Sequence, residues 1–358
     1  MVIFLNSIRS WVRALAGSFV ACLALLSPAH AAHPPCYDHI VIAVEENKDY
    51  EEIIGNKDAP FLNRLAEEGV SLTNMFAEEH PSEGNYFWLF AGSDMNVGFR
   101  DAVPAKLFAV PNLGAELIEK GLSFKGYSQS LPEIGSTVHY GPTGLYARKH
   151  VPWVSFSNVP NGSTVEASSN LRFADFPSDF SELPTVAFVI PDLRHDMHDG
   201  EPNDSIRRGD TWLQRSLGAY YNWAKVHNSL LIITFDESDN SSGYRGLTDP
   251  TVAAGTDQAR RDRRNRIPTS FAGAHVKRHY GDATPFDHVS LLRTIEVIYG
   301  LPKAGTQQRN ALRAGIGDDA TAAGVFTEAP SPDHSGGATE GLFDAAQLNS
   351  AEPHGCRR

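Results

Sequence analysis

Leu230-Leu231-Ile232-Ile233-Thr234-Phe235 runs directly into Asp236-Glu237. Six residues with no polar alternation describe a strand covered on both faces, the pattern of parallel sheets in α/β proteins. Working outward, Ile40–Val44, Val70–Phe76, Leu122–Tyr127, Thr185–Ile190 and Thr269–Val276 read as further strands. The segments between them carry helical periodicity. Ala59–Glu68 puts Phe61, Leu62 and Leu65 on one face, Leu113–Lys120 repeats the pattern, Ser205–His227 is long and amphipathic, and His288–Tyr299 carries Val289, Leu292, Ile295 and Ile298. This alternation predicts an α/β fold: a doubly wound, mostly parallel sheet with helices on both faces.

The composition is that of an ordinary folded protein, 41% hydrophobic and 21% charged in 358 residues. A formal charge of −12 argues against nucleic acid as the main partner, because neutralising a phosphate backbone needs a basic surface. Arg9 and Arg13 precede an apolar stretch, Ala14–Leu26, and Ala29-His30-Ala31 forms a small-x-small cleavage signal. Residues 1–31 are therefore expected to be a cleaved signal peptide and the chain to be secreted or periplasmic. The stretch falls short of the roughly 18 apolar residues of a membrane span, so no stable membrane insertion is expected. Residues 32–358 are expected to form one domain with long loop insertions at about 128–183 and 239–267 and a loosely packed tail from about 302. Cys36 and Cys356 stand at opposite ends of the exported part, and in an oxidising compartment a disulfide between them is the simplest pairing.

Three strands end in polar clusters. Ile40–Val44 leads into Glu45-Glu46-Asn47, Thr185–Ile190 into Asp192-Leu193-Arg194-His195-Asp196-Met197-His198-Asp199, and Leu230–Phe235 into Asp236-Glu237. Open α/β sheets bind ligands at the carboxyl ends of their strands, so these clusters are expected to converge. Carboxylates gathered at one site repel, and a bound cation is the usual remedy. Ser82, in His80-Pro81-Ser82-Glu83-Gly84-Asn85-Tyr86, stands where a helix begins. It reads as a helix N-cap or as a nucleophile activated by a neighbouring metal ion. Asp287-His288 opens the last strong helix, and with His195 and His198 it offers nitrogen donors for a second ion or a proton source for a leaving group. Tyr140, Tyr146, Trp153 and Phe156 either stack on a substrate or fill the core. The run Arg260–Arg266 is either a basic loop or a solvated surface stretch.

Six blocks in order carry a resemblance: His39–Asn47, His80–Tyr86, Tyr146–His150, Asp196–Asp199, Phe235–Glu237 and His288–Glu296. They resemble the phosphoesterase family, which groups bacterial acid phosphatases with phospholipases C inside the alkaline phosphatase superfamily. The resemblance implies that Glu46, Asn47, Asp236 and Glu237 hold a metal ion with Ser82 as the metal-bound nucleophile. It places Asp196, His198 and His288 where two-metal relatives bind a second ion, and His150 near the transferred phosphoryl group. Asn85 stands three residues after Ser82 and is expected to hold phosphoryl oxygens, and His195 is expected on the substrate.

The expected activity is that of an exported phosphomonoesterase, acid phosphatase-like, working through a phosphoserine. Its cofactor is one or two divalent ions drawn from Ca, Mg, Mn or Zn. The nearly all-oxygen donor set suits hard cations, and added imidazoles favour softer ones. A phospholipase C-type phosphodiesterase, or an exported metal- or phosphate-binding protein without catalysis, are the alternatives.

Overall fold

The central strand β1 (His39–Glu45) pairs in parallel with β6 (Val186–Ile190) on one side and β7 (Ser229–Phe235) on the other. The computed structural model describes residues 34–97, 101–239, 265–305 and 321–327, all within one unit, His33–Arg358. The other strands of the main sheet are β2 (Val70–Leu72), β4 (Phe124–Ser128), β5 (Asn170–Arg172), β9 (Ser270–Gly273) and β10 (Tyr280–Asp282). Their order is β10-β2-β9-β7-β1-β6-β4-β5, and only β9 runs antiparallel to its neighbours. Along β1 and β7 every residue is buried apart from half-buried His39, which explains their unbroken apolar sequences.

Val70–Phe76 is not one strand. It turns at Thr73-Asn74, where Thr73 N and Oγ1 both donate to Asp282 O. Its second half, β3 (Met75–Phe76), joins β8 (Arg266–Ile267) and β11 (Phe286–Asp287) in a small separate sheet. The polar pair Thr73-Asn74 is the only mark of this change of sheet in the sequence.

Two helix groups flank the sheet. On one side α2 (Pro60–Glu68) packs with α5 (Pro202–Ala224); α1 (Tyr50–Ile53) is a single turn before them. Ala59 gives α2 no side-chain cap, and buried Asp210 of α5 takes that role: its carboxylate accepts Phe61 N at 3.0 Å and Leu62 N at 2.9 Å. The second group comprises α3 (Ser82–Ala91), α4 (Leu113–Glu119) and α6 (His288–Tyr299), in mutual contact.

Residues 129–183 are ordered by aromatic packing rather than forming a structureless insertion. Trp153 lies over Gly126 of β4, where an added Cβ would fall 2.0 Å from the indole, and its Nε1 donates to Asn170 Oδ1. Tyr146, Trp153 and Phe156 are core residues, whereas Tyr140 is 60% exposed. The described part of the tail is also packed: Ala322, Val325 and Phe326 are buried, and Ala322 N donates to Thr294 Oγ1 at 2.8 Å. Of the expected Cys36–Cys356 disulfide only Cys36 lies among the described residues, which therefore contain no cysteine pair, and Cys36 itself is disulfide-bonded. Cys356, the signal peptide and most of the 239–267 insertion, with Arg260–Arg264, lie outside the described residues.

Between α4 and α6, Glu116 is buried with neither carboxylate oxygen bonded. Burial, reinforced by Glu296, pushes its pKa from 4.5 up to about 8. An acid with a raised folded pKa keeps its proton while the unfolded chain has lost it, so stability falls as pH rises from 4.5 to about 8. Glu116→Gln is therefore expected to raise the melting temperature at pH 8 and leave it little changed near pH 4, which thermal unfolding across that range measures.

Candidate active site

Parallel pairing of β1 with β7 sets Glu45 opposite Phe235, so the next residues, Glu46 and Asp236-Glu237, emerge side by side at the carboxyl edge of the sheet. Asp236 N donates to Glu45 O at 2.9 Å and Glu46 N to Asp196 O at 2.7 Å, which draws the loop after β6 to the same edge. Asn47, at φ 38°, donates its backbone N–H to Asp236 Oδ1 at 3.1 Å and Nδ2 to Glu237 Oε1 at 2.9 Å. Asparagine tolerates this left-handed conformation better than most residues.

Ser82 is the first residue of α3, and Pro81 occupies the cap position without a side-chain hydrogen bond. The capping reading therefore does not hold. Ser82 Oγ lies 3.1 Å from Glu46 Oε2 and 3.2 Å from Glu237 Oε1, buried with both. Asn85 binds the preceding loop through Oδ1, which accepts Glu78 N and Glu79 N, while Nδ2 donates to Glu79 O at 2.6 Å and to Glu237 Oε2 at 3.3 Å. Glu46, Asn47, Ser82, Asn85, Asp236 and Glu237 thus converge, as the strand ends foretold.

Burial raises the Glu46, Asp236 and Asp196 carboxyls well above the usual range, and neighbouring carboxylates add to it: Asp236 for Glu46, Glu237 for Asp236, and Glu46 for Asp196. Buried Asn47 Oδ1, Asp236 Oδ2 and Asp196 Oδ2 have no donor. Orphaned hard acceptors beside a buried hydroxyl are the donor chemistry of a divalent-cation site. Among the described residues, no group of three or more His, Cys, Asp or Glu side chains is disposed to hold a metal ion, so the fit to a cation rests on the mixed set with Asn47 and Ser82.

His150 reaches the cluster. It is buried, its Nε2 stands 3.2 Å from Glu46 Oε1, and its ring stacks on Tyr86 at 5.1 Å. Burial, with Lys149 and His198 nearby, holds it well below the ordinary histidine pKa, in the neutral form. The other histidines are placed differently. His198 is at the rim, half-exposed, with Nδ1 2.7 Å from Asp199 Oδ1. His195 turns towards α5, with Nδ1 2.9 Å from Asp192 Oδ1 and its ring stacked on Trp212. His288 does not join the cluster: Nδ1 meets Glu78 Oε2 at 2.6 Å and Nε2 meets Phe235 O at 2.8 Å, so neither nitrogen is available to an ion or a leaving group. Burial pulls its pKa down, but Glu78 and the Phe235 carbonyl carry it above the ordinary value.

The sequence reading passed over three site residues. Tyr86 donates to Glu46 Oε1 at 2.5 Å, His80 Nδ1 stands 2.9 Å from Glu237 Oε2, and Lys149 pairs with Asp101. Burial lowers the Lys149 pKa, but the charges of Glu46 and Asp101 outweigh it and raise the net value. Tyr86 follows Ser82 by one helical turn, a spacing that could have revealed it.

Comparison with known proteins shows a hydrolase of phosphatase type built on this α/β fold. The chain belongs to the phosphoesterase family, whose sequence model matches residues 56–302. It is 44% identical over 304 residues to a phosphatidylinositol-3-phosphatase of Mycobacterium tuberculosis, covering 85% of this chain and 88% of that protein. It is 30% identical over 274 residues to a probable acid phosphatase of Kluyveromyces lactis, covering 74% of this chain and 59% of that protein. With a phosphate-repressible acid phosphatase of Penicillium chrysogenum the identity is 27% over 290 residues, 78% of this chain and 63% of that protein. The chain thus spans about three fifths of the length of these two fungal relatives. The fold superposes on a protein in the alkaline phosphatase superfamily from Vibrio parahaemolyticus with a TM-score of 0.48 at 13% identity, covering 75% of this chain and 69% of that one. Among the described residues no helix is long and apolar enough to cross a membrane.

Replacing His288 by Ala strands the Glu78 carboxyl in the core, and breaking a buried pair this way costs about 3–5 kcal/mol. The expected result is a marked loss of denaturant midpoint, with turnover per folded molecule largely retained at a temperature where the variant is folded. A fully stable variant without turnover would restore His288 to the catalytic set.

Proposed function

We propose that the chain is an exported, metal-assisted phosphomonoesterase in which Ser82 is the nucleophile. The observation that carries this reading is the placement of Ser82 Oγ between Glu46 and Glu237, with Pro81 rather than Ser82 at the cap position. The phosphatase names of its relatives favour monoesters over the diesters of a phospholipase C. Export is supported by the arginine-flanked apolar stretch and small-x-small signal at the N-terminus.

Glu46, Asn47, Ser82, Asp236 and Glu237 would hold the ion, with Asp196 the nearest carboxylate to a second. A bound divalent cation would supply the positive charge that attracts a phosphate dianion and favours the ionised hydroxyl. The protein's own residues do the rest. Ser82 Oγ attacks phosphorus in line, one Oγ–P bond forms and the bond to the leaving oxygen breaks. Asn85 Nδ2, exchanging its long bond to Glu237 Oε2, joins the α3 N-terminus and Lys149 in orienting the phosphoryl oxygens. Neutral His150, stacked on Tyr86, excludes water from the inner wall, and His198 at the rim returns a proton to the departing alcohol. Water then cleaves the phosphoserine, releasing phosphate and restoring the hydroxyl.

Three outcomes are expected. Ser82→Ala loses about three orders of magnitude or more in hydrolysis of p-nitrophenyl phosphate, since removing a nucleophile is rarely compensated. Chelation followed by dialysis abolishes turnover, and added divalent ion restores it; full activity in stripped protein, confirmed metal-free by elemental analysis, contradicts the metal reading. The p-nitrophenyl monoester is turned over faster than its choline diester, and the reverse order would favour the phospholipase alternative.

A further inference from the structure

A basic cavity beside α5 plays no part in the catalytic cluster. Its volume is about 440 Å³, and four arginines line it: Arg194, Arg207, Arg208 and Arg215. In a chain of net charge −12 such a concentration runs against the overall balance. Arg208, Trp212 and Arg215 recur at helical spacing, so one face of α5 presents two guanidinium groups around an indole. Trp212 is held by Phe173 at 5.1 Å and by the His195 ring at 6.1 Å, which gives the cavity a fixed aromatic wall.

The four charges are not equally engaged. Arg207 is paired with Asp58 and Asp204. Arg208 donates to neutral carbonyls, Arg194 O at 3.1 Å and Asp199 O at 2.7 Å, which ties residues 194–199 to the helix without forming an ion pair. Arg194 and Arg215 are exposed and have no carboxylate partner among the described residues. Four arginines against the single carboxylate Asp204 leave this concave site with a positive excess, and arginine offers a phosphate group paired N–H donors.

We propose that this cavity is a second, non-catalytic binding site for a phosphate group, borne on a lipid headgroup or supplied as free phosphate. The segment that carries Arg194 also carries Asp196, whose carbonyl accepts Glu46 N, so a phosphate held here sits on the same loop that borders the catalytic cluster. The site does not depend on Ser82 being the nucleophile.

The test uses the full exported protein and the double variant Arg194→Gln/Arg215→Gln, with Arg215→Glu as a second, single-site variant. Sedimentation with phosphatidylcholine vesicles, with and without phosphatidic acid, tests the lipid source. Titration with inorganic phosphate, read by tryptophan fluorescence and by binding stoichiometry, tests the free one. Binding to the phosphatidic acid vesicles alone, or a second phosphate equivalent in solution, is expected, weakened about tenfold or more in either variant. Turnover of p-nitrophenyl phosphate is expected to be unchanged, which separates this site from the catalytic one. Absence of both binding events in the unsubstituted protein, or equal binding by folded variants, overturns the proposal; loss of turnover on Ser82→Ala with vesicle binding intact leaves it standing.

Discussion

Several carboxylates are buried side by side at the carboxyl edge of the sheet, and most of the surrounding structure manages that fact. Because β1 and β7 are parallel neighbours and each ends in an acidic pair, their register alone brings Glu46 beside Asp236 and Glu237. Buried like charges raise one another's pKa, so the cluster retains protons or takes up a cation. The neighbouring donors point inward accordingly: Tyr86 to Glu46, Asn47 and Asn85 to Glu237, and Asn47 N to Asp236. The acceptors they leave unserved, Asn47 Oδ1 and Asp236 Oδ2, set the chemistry that any ligand of the cluster must meet.

What the sequence revealed follows from the range of each signal. Strand and helix positions rest on periodicity within about a dozen residues, and apart from the divided Val70–Phe76 the expected elements from Pro60–Glu68 to His288–Tyr299 came out within a few residues. The convergence of Glu46 and Asp236 was legible because both directly follow strands of one sheet. His288 was misplaced for the opposite reason. Its partner, Glu78, is 210 residues away, and nothing near His288 announces that both ring nitrogens are spoken for. His80 was overlooked although it is two residues from Ser82, since only the fold brings Glu237 against its ring. The aromatic stretch from 129 to 183 has no single period, and its order comes from Trp153 settling on the bare backbone of Gly126.

The helix bearing the hydroxyl accounts for the precision of the cluster. All ten residues of α3 are buried, so it has no solvent face along which to shift. Ser82, Asn85 and Tyr86 stand at i, i+3 and i+4 and therefore share one face, directed at Glu46 and Glu237. Gly84 falls outside that set, and a Cβ there would come 1.5 Å from Glu79 Oε1, so glycine leaves room for the buried Glu79 side chain against the first turn of the helix. Asn85 Oδ1 collects the Glu78 and Glu79 N–H groups, while Glu78 holds His288 and the Val289 N–H at the start of α6. A single chain of contacts thus links the hydroxyl to a second helix of the core. Positioning on rigid elements of this kind, rather than on mobile loops, is what an in-line displacement requires of the group that attacks.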